Sequence, residues 1–343
     1  MRARQAMAKP RVAITMGDPS GVGPEVTLKA LDPAGVRAAC RPMVLGDWEL
    51  LQRTMRRSGA RSYRLVRWQP GEPLPTQARQ VPVYSLSRLS PSQALPGHPS
   101  VACGKAAYCY IRSAAELVLS HAADAMATAP ISKRVLQDAG YRYPGHTELL
   151  AELTGTKECR MMLVGDRLRI VLVTVHLPLR NVPRSLNPDR ILATLALTHR
   201  AMRRYFGVAR PRIAVAALNP HAGEEGIFGP EEKVKIAPAV SSARRRGIRA
   251  EGPFAADSIF FQARRGDFDA VVCMYHDQGL IPLKLLDFFG GVTLTLGLPF
   301  VRTSVDHGTA YEIAGKNQAD SSSMRAAILL AAKLCGQNFK EAG

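Results

Sequence analysis

DAVVCMYHDQG (residues 269–279) is an apolar, β-branched run that stops at three consecutive hydrogen-bonding side chains and a glycine. Strands that alternate with helices are typical of a mostly parallel sheet with helices on both faces. The chain repeats such runs with helical patterns between them, at VAITM (12–16), PMVLG (42–46), DAMATA (124–129), LRIVLVTV (168–175), RIAVAAL (212–218) and GVTLTLG (291–297). We therefore expect an α/β fold.

Helix signals lie between the runs. Asn187-Pro188-Asp189 supplies a cap, a first-turn proline and a first-turn acid, and Pro230-Glu231-Glu232 opens a second helix in the same way. Residues 104–121 keep an apolar face with a period of 3.6. Residues 67–100 contain seven prolines, which favours an excursion or an edge region of the sheet.

The composition is that of a globular protein, with 343 residues of which 46% are hydrophobic and 22% charged. This length favours two subdomains. The start of the chain does not resemble a signal peptide, and the apolar stretch near the C-terminus is too short to span a membrane. The six cysteines have no CxxC spacing, so we expect reduced thiols and a cytoplasmic location.

The chain is strongly basic, with 46 Lys and Arg against 28 Asp and Glu and a formal net charge of +18. Such a field attracts phosphorylated metabolites and nucleic acids alike. The arginines are scattered and are not interleaved with aromatic residues in the manner of single-strand binders. A basic nucleic-acid-binding protein is the alternative from a different functional class, and it leaves the strand-end histidines described next unexplained.

Histidines follow three of the predicted strands. His176 comes after LRIVLVTV, His221 after RIAVAAL and His276 after DAVVCMY. Side chains just beyond the carboxyl ends of parallel strands line the ligand crevice of an open α/β sheet. Three imidazoles there would suit zinc or a related divalent ion and leave positions open for substrate. Each histidine taken alone also fits a structural or surface role.

Other polar positions each fit both a ligand-binding and a structural role. The loop MGDPSGVGPE (16–25) resembles a phosphate-cradling turn, but its glycines also fit a tight strand-to-helix connection. Thr147 is predicted to cap a helix whose start, beside His146, would suit an anion. Lys284 and Arg302 fit either a substrate phosphate or carboxylate or the protein surface.

Taken together, eight motifs resemble the 4-hydroxythreonine-4-phosphate dehydrogenase family of vitamin B6 biosynthesis. The motifs occur in family order over residues 12 to 320: ITMGDPSGVGPE, ATAPISK, PGHTELLAELTG, TVHLPL, NPHAGE, ADS, YHDQGLIPLK and LGLPFVRTSVDHGTAYEIAG. The segment DHGTAYEIAGK (306–316) also resembles the dinucleotide-contacting loop of isocitrate and isopropylmalate dehydrogenases. The resemblance implies the two-subdomain fold of those enzymes. From the order of the elements we expect residues 10–130 and 303–340 in one subdomain, residues 131–302 in the other, and a cleft between them.

The resemblance also implies a set of site residues. His176, His221 and His276 fall on the ligands of a divalent metal, taken as zinc, magnesium or cobalt, with His276 supplied by the partner subunit of a homodimer. Gly279 is then expected to turn the chain after the strand that precedes His276. The substrate-binding positions are His146, Thr147, Lys284, Thr293 and Arg302, and the positions that contact NAD or NADP are His307, Gly308 and Thr309. Lys284, Asp277 and Asp257 are the catalytic candidates; either aspartate, or a water, would accept the proton, and a structural role for the two aspartates stays open.

The implied reaction is oxidation of 4-(phosphooxy)-L-threonine to 2-amino-3-oxo-4-phosphooxybutanoate, which loses CO₂ to give 3-amino-2-oxopropyl phosphate. One position departs from the family pattern, because Thr293 stands where an asparagine is usual. Threonine keeps a hydroxyl but lacks the reach and the two donors of the amide. The alternative substrate is therefore a phosphorylated sugar acid, 4-phospho-threonate or 4-phospho-erythronate. We expect no membrane and no nucleic acid among the partners.

Overall fold

The computed structural model describes residues 9–288 and 290–338. The described residues up to Lys157, together with those from Leu298 onward, form one compact unit, and Glu158–Gly297 form the other. None of the helices within these ranges is long and apolar enough to cross a membrane.

The first unit is a parallel sheet with helices. Its strands are β1 (Arg11–Thr15), β2 (Arg41–Asp47), β3 (Arg64–Arg67), β4 (Gln80–Ser87), β5 (Ala125–Thr128) and β12 (Val301–Val305). Its helices are α1 (Gly23–Leu31), α2 (Ala34–Ala39), α3 (Trp48–Ser58), α4 (Val101–Leu119), α5 (Lys133–Asp138), α6 (His146–Leu153) and α12 (Ser322–Asn338). The strand order is β3-β4-β2-β1-β5-β12, and every neighbouring pair is parallel.

The second unit has a mixed sheet. Its strands are β6 (Arg160–Val164), β7 (Arg169–Leu172), β8 (Ile213–Ala216), β9 (Ala250–Phe254), β10 (Ala270–Cys273) and β11 (Val292–Leu296). Its helices are α7 (Val182–Ser185), α8 (Pro188–Phe206), α9 (Ala237–Arg245), α10 (Ala256–Arg265) and α11 (His276–Leu286). The order is β11-β6-β7-β10-β8-β9, with antiparallel pairing on both sides of β6 and parallel pairing from β7 to β9.

The core of the second unit explains why its strands are continuous apolar runs. Ile170 and Leu172 of β7 are fully buried with Val271 and Cys273 of β10, and Ile259 of α10 packs into the same cluster. A parallel strand covered on both faces must be apolar on both faces, so it cannot alternate. The α/β class with a mostly parallel sheet is therefore confirmed, and each of the seven predicted runs overlaps a strand.

Two features of the first unit differ from the sequence-based expectation. Within residues 67–100, β4 is an interior strand between β3 and β2, so the prediction of an edge or an excursion was wrong there. The proline in β4, Pro82, lies opposite Val66 of β3, and the pairing of β4 with β2 begins only at Val83. Residues 131–157 join the first unit, whereas the expected boundary was 130/131, because α5 and α6 pack against α4.

Candidate active site

The sheet topology of the second unit brings the three histidine-bearing strands side by side. β10 pairs in parallel with β7 on one side and with β8 on the other. His176 lies four residues past the last residue of β7, His276 three past β10, and His221 five past β8. The carboxyl ends of parallel neighbours meet at one edge, so all three histidines belong to the same edge of the sheet.

Side chains tie these strand ends together. Thr174 donates its Oγ1 hydrogen to the carbonyl oxygen of Met274 at 2.7 Å, which joins the chain after β7 to the chain after β10. The buried Gln278 accepts a hydrogen bond from the Met274 amide at 2.7 Å and donates one to the Ala217 carbonyl at 2.6 Å. The second bond reaches the end of β8, so one amide group joins the segments that carry His276 and His221.

Two of the three imidazoles are neighbours within the chain. The ring centroids of His176 and His276 are 5.6 Å apart. Two imidazoles on one tetrahedral ion, with metal–nitrogen bonds of about 2.1 Å, have centroids about 5 Å apart. His276 Nδ1 lies 2.7 Å from Asp277 Oδ1, a contact that would leave Nε2 as the ring nitrogen able to bind a metal. The pair therefore fits a divalent ion.

His221 stands apart from this pair. Its ring is 6.1 Å from that of Phe228, and the described residues of a single chain contain no group of three His, Cys, Asp or Glu side chains close enough to share an ion. The ring contact between His176 and His276 follows from the adjacency of β7 and β10, and the expectation that His276 reaches the ion from the other subunit stays a prediction.

The catalytic candidates occupy helices of the same unit. Asp277 and Lys284 are seven residues apart in α11, which puts them on one face of the helix. Lys284 is half-buried, with its Nζ 5.5 Å from the centroid of the Phe288 ring. Asp257 is an exposed residue in the first turn of α10. Thr293 is buried in β11 opposite Leu163 of β6.

The first unit holds a buried, positively charged group. Arg302 in β12 is 3% exposed and donates from Nη2 to Thr128 Oγ1 at 2.6 Å. Burial, followed by the charge of Arg302, lowers the pKa of His146 well below its ordinary value, so this imidazole is neutral at pH 7. Its Nε2 is buried without a hydrogen-bond partner among the described residues. A guanidinium beside a neutral imidazole donor suits a phosphate or a carboxylate.

Two local expectations near these residues were wrong. Thr147 does not cap α6, because the helix already begins at His146 and Gly145, in an extended conformation, takes the cap position. Gly279 does not turn the chain after β10. It lies inside α11, where a Cβ atom would meet Ile170 Cγ2 at 2.5 Å, so its role is to let the helix approach β7 closely.

The loop after β1 holds the expected cofactor segment. Val22 donates its backbone N–H to the Thr309 carbonyl at 2.9 Å. The buried Asp18 accepts hydrogen bonds from the Ser20 amide at 2.9 Å and hydroxyl at 2.7 Å, and from the Tyr311 hydroxyl at 2.6 Å. Burial, reinforced by Asp18, raises the pKa of Tyr311, so its hydroxyl stays a donor. His307 and Gly308 are exposed at the start of this segment.

Sequence reasoning missed three residues of these networks. Asp18 and Tyr311 lie inside motifs that were noticed, but a carboxylate and a phenol 293 positions apart give no sign of pairing. Gln278 was noticed only as a polar residue at a strand end. Its burial beneath two strand ends depends on the order β7-β10-β8, which no local pattern reveals.

Comparison with known proteins identifies the family of this chain. The model of the pyridoxal phosphate biosynthetic protein PdxA matches residues 38–331. The chain belongs to the PdxA family. It is 53% identical to a 4-hydroxythreonine-4-phosphate dehydrogenase of Geobacter metallireducens, over 95% of this chain and 96% of that protein. It is 46% identical to a D-threonate 4-phosphate dehydrogenase of Cupriavidus necator, over 95% of this chain and 97% of the relative.

Solved structures agree with this assignment. The crystal structure of a 4-hydroxythreonine-4-phosphate dehydrogenase from Klebsiella pneumoniae aligns with a TM-score of 0.87 at 43% identity, covering 95% of this chain and 99% of the other. The chain is therefore an enzyme of the dehydrogenase type found in the PdxA family.

Proposed function

We propose that this PdxA-family enzyme oxidises 4-(phosphooxy)-L-threonine with NAD or NADP, in a divalent-metal-dependent reaction of pyridoxal 5'-phosphate biosynthesis. The product would be 2-amino-3-oxo-4-phosphooxybutanoate, which decarboxylates to 3-amino-2-oxopropyl phosphate. The observation that carries the proposal is the sheet edge at the carboxyl ends of β7, β10 and β8. There the ring centroids of His176 and His276 are 5.6 Å apart. The relatives named 4-hydroxythreonine-4-phosphate dehydrogenase support the substrate.

His176, His221 and His276 would hold the metal, taken as zinc, magnesium or cobalt. When bound, such an ion lowers the pKa of a coordinated hydroxyl and polarises a carbonyl, which suits both alcohol oxidation and the loss of CO₂. Imidazole nitrogens are favoured ligands of such ions. The contact with Asp277 orients the ring of His276.

The remaining residues would bind, orient and exchange protons. Arg302 supplies a buried positive charge for the phosphorylated substrate, and the neutral His146 supplies a hydrogen bond from a nitrogen that has no partner among the described residues. Thr147, Thr293 and Lys284 complete the proposed substrate contacts. Lys284, Asp277 and Asp257 are the groups proposed for proton transfer, and the exposure of Asp277 and Asp257 leaves both in contact with water.

The cofactor would contact His307, Gly308 and Thr309. The hydrogen bonds from Val22 to Thr309 and from Tyr311 to Asp18 support this role, because they give the segment one fixed conformation. A preorganised segment loses less entropy when it binds a ligand. The six cysteines are free thiols, which is compatible with the proposed cytoplasmic location.

We also propose that the active enzyme is a homodimer with the metal site at its interface. Large exposed apolar side chains follow each candidate ligand along the chain: Leu177 and Leu179 after His176, Ile227 and Phe228 after His221, and Ile281, Leu285 and Phe288 after His276. Such exposure is unusual on a monomer and typical of a surface covered by another subunit. A second copy would also supply the third His, Cys, Asp or Glu ligand that the described residues of a single chain do not bring to the pair.

A second candidate substrate is 4-phospho-D-threonate. Thr293 favours it, because the shorter hydroxyl side chain replaces the amide usual at this position, and the relative from Cupriavidus necator carries that activity in its name. The two substrates differ in an amine or a hydroxyl at the α carbon.

The test is an absorbance assay of NADH and NADPH formation with each substrate, for the wild type and for Thr293→Asn. We expect a higher kcat/KM with 4-(phosphooxy)-L-threonine, and a further rise in that preference in Thr293→Asn. A higher kcat/KM with phospho-threonate in the wild type would favour the second candidate. No turnover with either substrate would contradict the proposal.

A further inference from the structure

The turn that carries His221 has an unusual backbone. Five consecutive residues from His221 to Glu225 lie in the left-handed region, with φ angles of 52°, 55°, 80°, 39° and 57°. Four of these residues have side chains, for which this conformation is energetically costly. Strain of this kind persists only where the surroundings hold it, and it is concentrated at functional sites.

A buried carboxylate holds the start of this turn. Glu232 is 4% exposed, and its Oε1 accepts hydrogen bonds from the amides of Leu218 and Asn219, both at 2.8 Å. Its Oε2 accepts a third from Asn219 Nδ2 at 2.9 Å. The bonded residues immediately precede Pro220-His221, so one side chain fixes the main chain that leads into His221.

The same carboxylate also lies close to Gly223, which follows His221 in the turn. A Cβ atom on Gly223 would lie 2.7 Å from Glu232 Oε2, so the turn closes directly over the carboxylate. No Lys, Arg or His side chain in the described ranges forms an ion pair with Glu232, and its three hydrogen-bond partners there are N–H donors. Burying a charge in this way is costly, and a helix start needs only an exposed acid.

The chemistry of the contacts requires a carboxylate. All three of its partners are donors, and an ionised carboxylate presents acceptors only. A glutamine at this position would have to point an N–H group either at the amide nitrogen of Asn219 or at the two backbone amides. The neighbouring Glu231 makes just one of these contacts, from Asn219 Nδ2 at 2.9 Å, and it is half-buried.

We propose that Glu232 is a positioning residue for the metal site, acting through the main chain of Asn219-Pro220-His221 to present the His221 imidazole to the ion. The assignment rests on the proposed role of His221 as a metal ligand. Glu232 itself touches neither the ion nor the substrate. Its removal therefore changes how well the ligand is held, not which ligands exist.

The experiment is a titration of the metal-free, full-length protein with Co²⁺ alone, read by the visible d–d absorption of the bound ion. Wild type, Glu232→Gln and the matched control Glu231→Gln are compared, with His221→Ala as the reference for a lost ligand. Loss of a residue that orients a metal ligand typically weakens binding by about 10- to 100-fold. We expect a loss of that size for Glu232→Gln and an affinity close to wild type for Glu231→Gln.

The shape of the spectrum separates positioning from a general effect on folding. At saturation, Glu232→Gln is expected to shift toward the d–d spectrum of His221→Ala, whereas a purely structural loss would lower the thermal midpoint of the metal-free protein and leave the Co²⁺ affinity and spectrum unchanged. Glu232→Asp keeps the buried charge, and thus the fold, but shortens the reach to the amides, so it should also bind Co²⁺ more weakly.

Two results would overturn the inference, and they are distinguishable. Wild-type affinity and spectrum in both Glu232→Asp and Glu232→Gln would show that Glu232 does not position His221. Equal Co²⁺ binding by wild type and His221→Ala would remove His221 from the metal site, and with it both the proposed ligand set and the role of Glu232.

Discussion

His146 illustrates how burial sets the protonation state of a single residue. Its imidazole is kept neutral by burial and by the nearby charge of Arg302, which together lower its pKa. An unfolded histidine has a pKa of about 6.5. Below that pH the unfolded chain binds a proton that the folded protein does not accept, so the free energy of unfolding must fall as the pH falls.

The His146→Gln variant tests this. Between about pH 7.5 and about pH 5, the wild type should lose more unfolding free energy than the variant, by at most about 1.4 kcal/mol per pH unit below pH 6.5. Urea unfolding at several pH values measures the difference. Equal slopes for wild type and His146→Gln would mean that His146 is protonated as easily in the folded protein as in the unfolded chain.

At the scale of the element, the strand-to-helix loop after β1 depends on one backbone conformation. Gly17 has a φ of +73°, and a Cβ atom there would lie 2.3 Å from the Pro130 carbonyl oxygen. Gly59, which ends α3, has a nearly identical φ of +75° but no atom within 4 Å of that position. A comparison of Gly17 with Gly59 therefore separates the cost of the left-handed backbone conformation from the cost of steric overlap.

Alanine substitutions at the two glycines should therefore differ. Gly59→Ala is expected to cost about 1 kcal/mol from the left-handed conformation alone. Gly17→Ala adds the overlap with Pro130, and should cost at least about 2 kcal/mol more, because the surrounding backbone must shift. Urea unfolding monitored by circular dichroism measures both changes. Similar losses for the two variants would contradict the close approach of β1's loop to Pro130.

The same scale shows what local sequence patterns predict. Strands such as β10 are apolar along their whole length, which the sequence shows directly. The start of α8 is predicted by its N-cap Asn187, whose Oδ1 accepts a hydrogen bond from the Arg190 amide at 2.8 Å. The interior position of β4 was missed, because prolines argue against an interior strand and the sequence does not show which residues pair. The sequence did not show that Gln278 joins two strand ends or that Glu232 holds the turn before His221. Each binds residues that only the fold brings close to it.

At the scale of the whole molecule, the proposed homodimer explains why only two of the three histidines meet in one chain. The three strand ends share an edge because β10 lies between β7 and β8. The ring centroids of His176 and His276 are 5.6 Å apart, while no third His, Cys, Asp or Glu side chain in the described part of the chain completes a metal-binding group with them. A donor from the partner subunit would complete the set.

A mixture of two inactive variants tests the sharing of ligands. His221→Ala and His276→Ala, co-expressed with different tags, pair at random, and each mixed dimer would contain one intact set if His221 and His276 of one set come from different subunits. The rate should then reach about a quarter of the wild-type value, from half of the dimers with one working site of two. Each variant alone is the control. A mixture no faster than the controls would mean that both ligands come from the same chain.

If the strand-end histidines hold a metal as proposed, the dehydrogenase reaction depends on that ion. The most direct measurement is NADH or NADPH formation from 4-(phosphooxy)-L-threonine after chelator treatment and again after a divalent metal is restored, with the metal content determined at each step. We expect wild-type activity to be lost on metal removal and to return on restoration, whereas His176→Ala and His276→Ala should regain neither bound metal nor activity. Full turnover by a verified metal-free enzyme would contradict it.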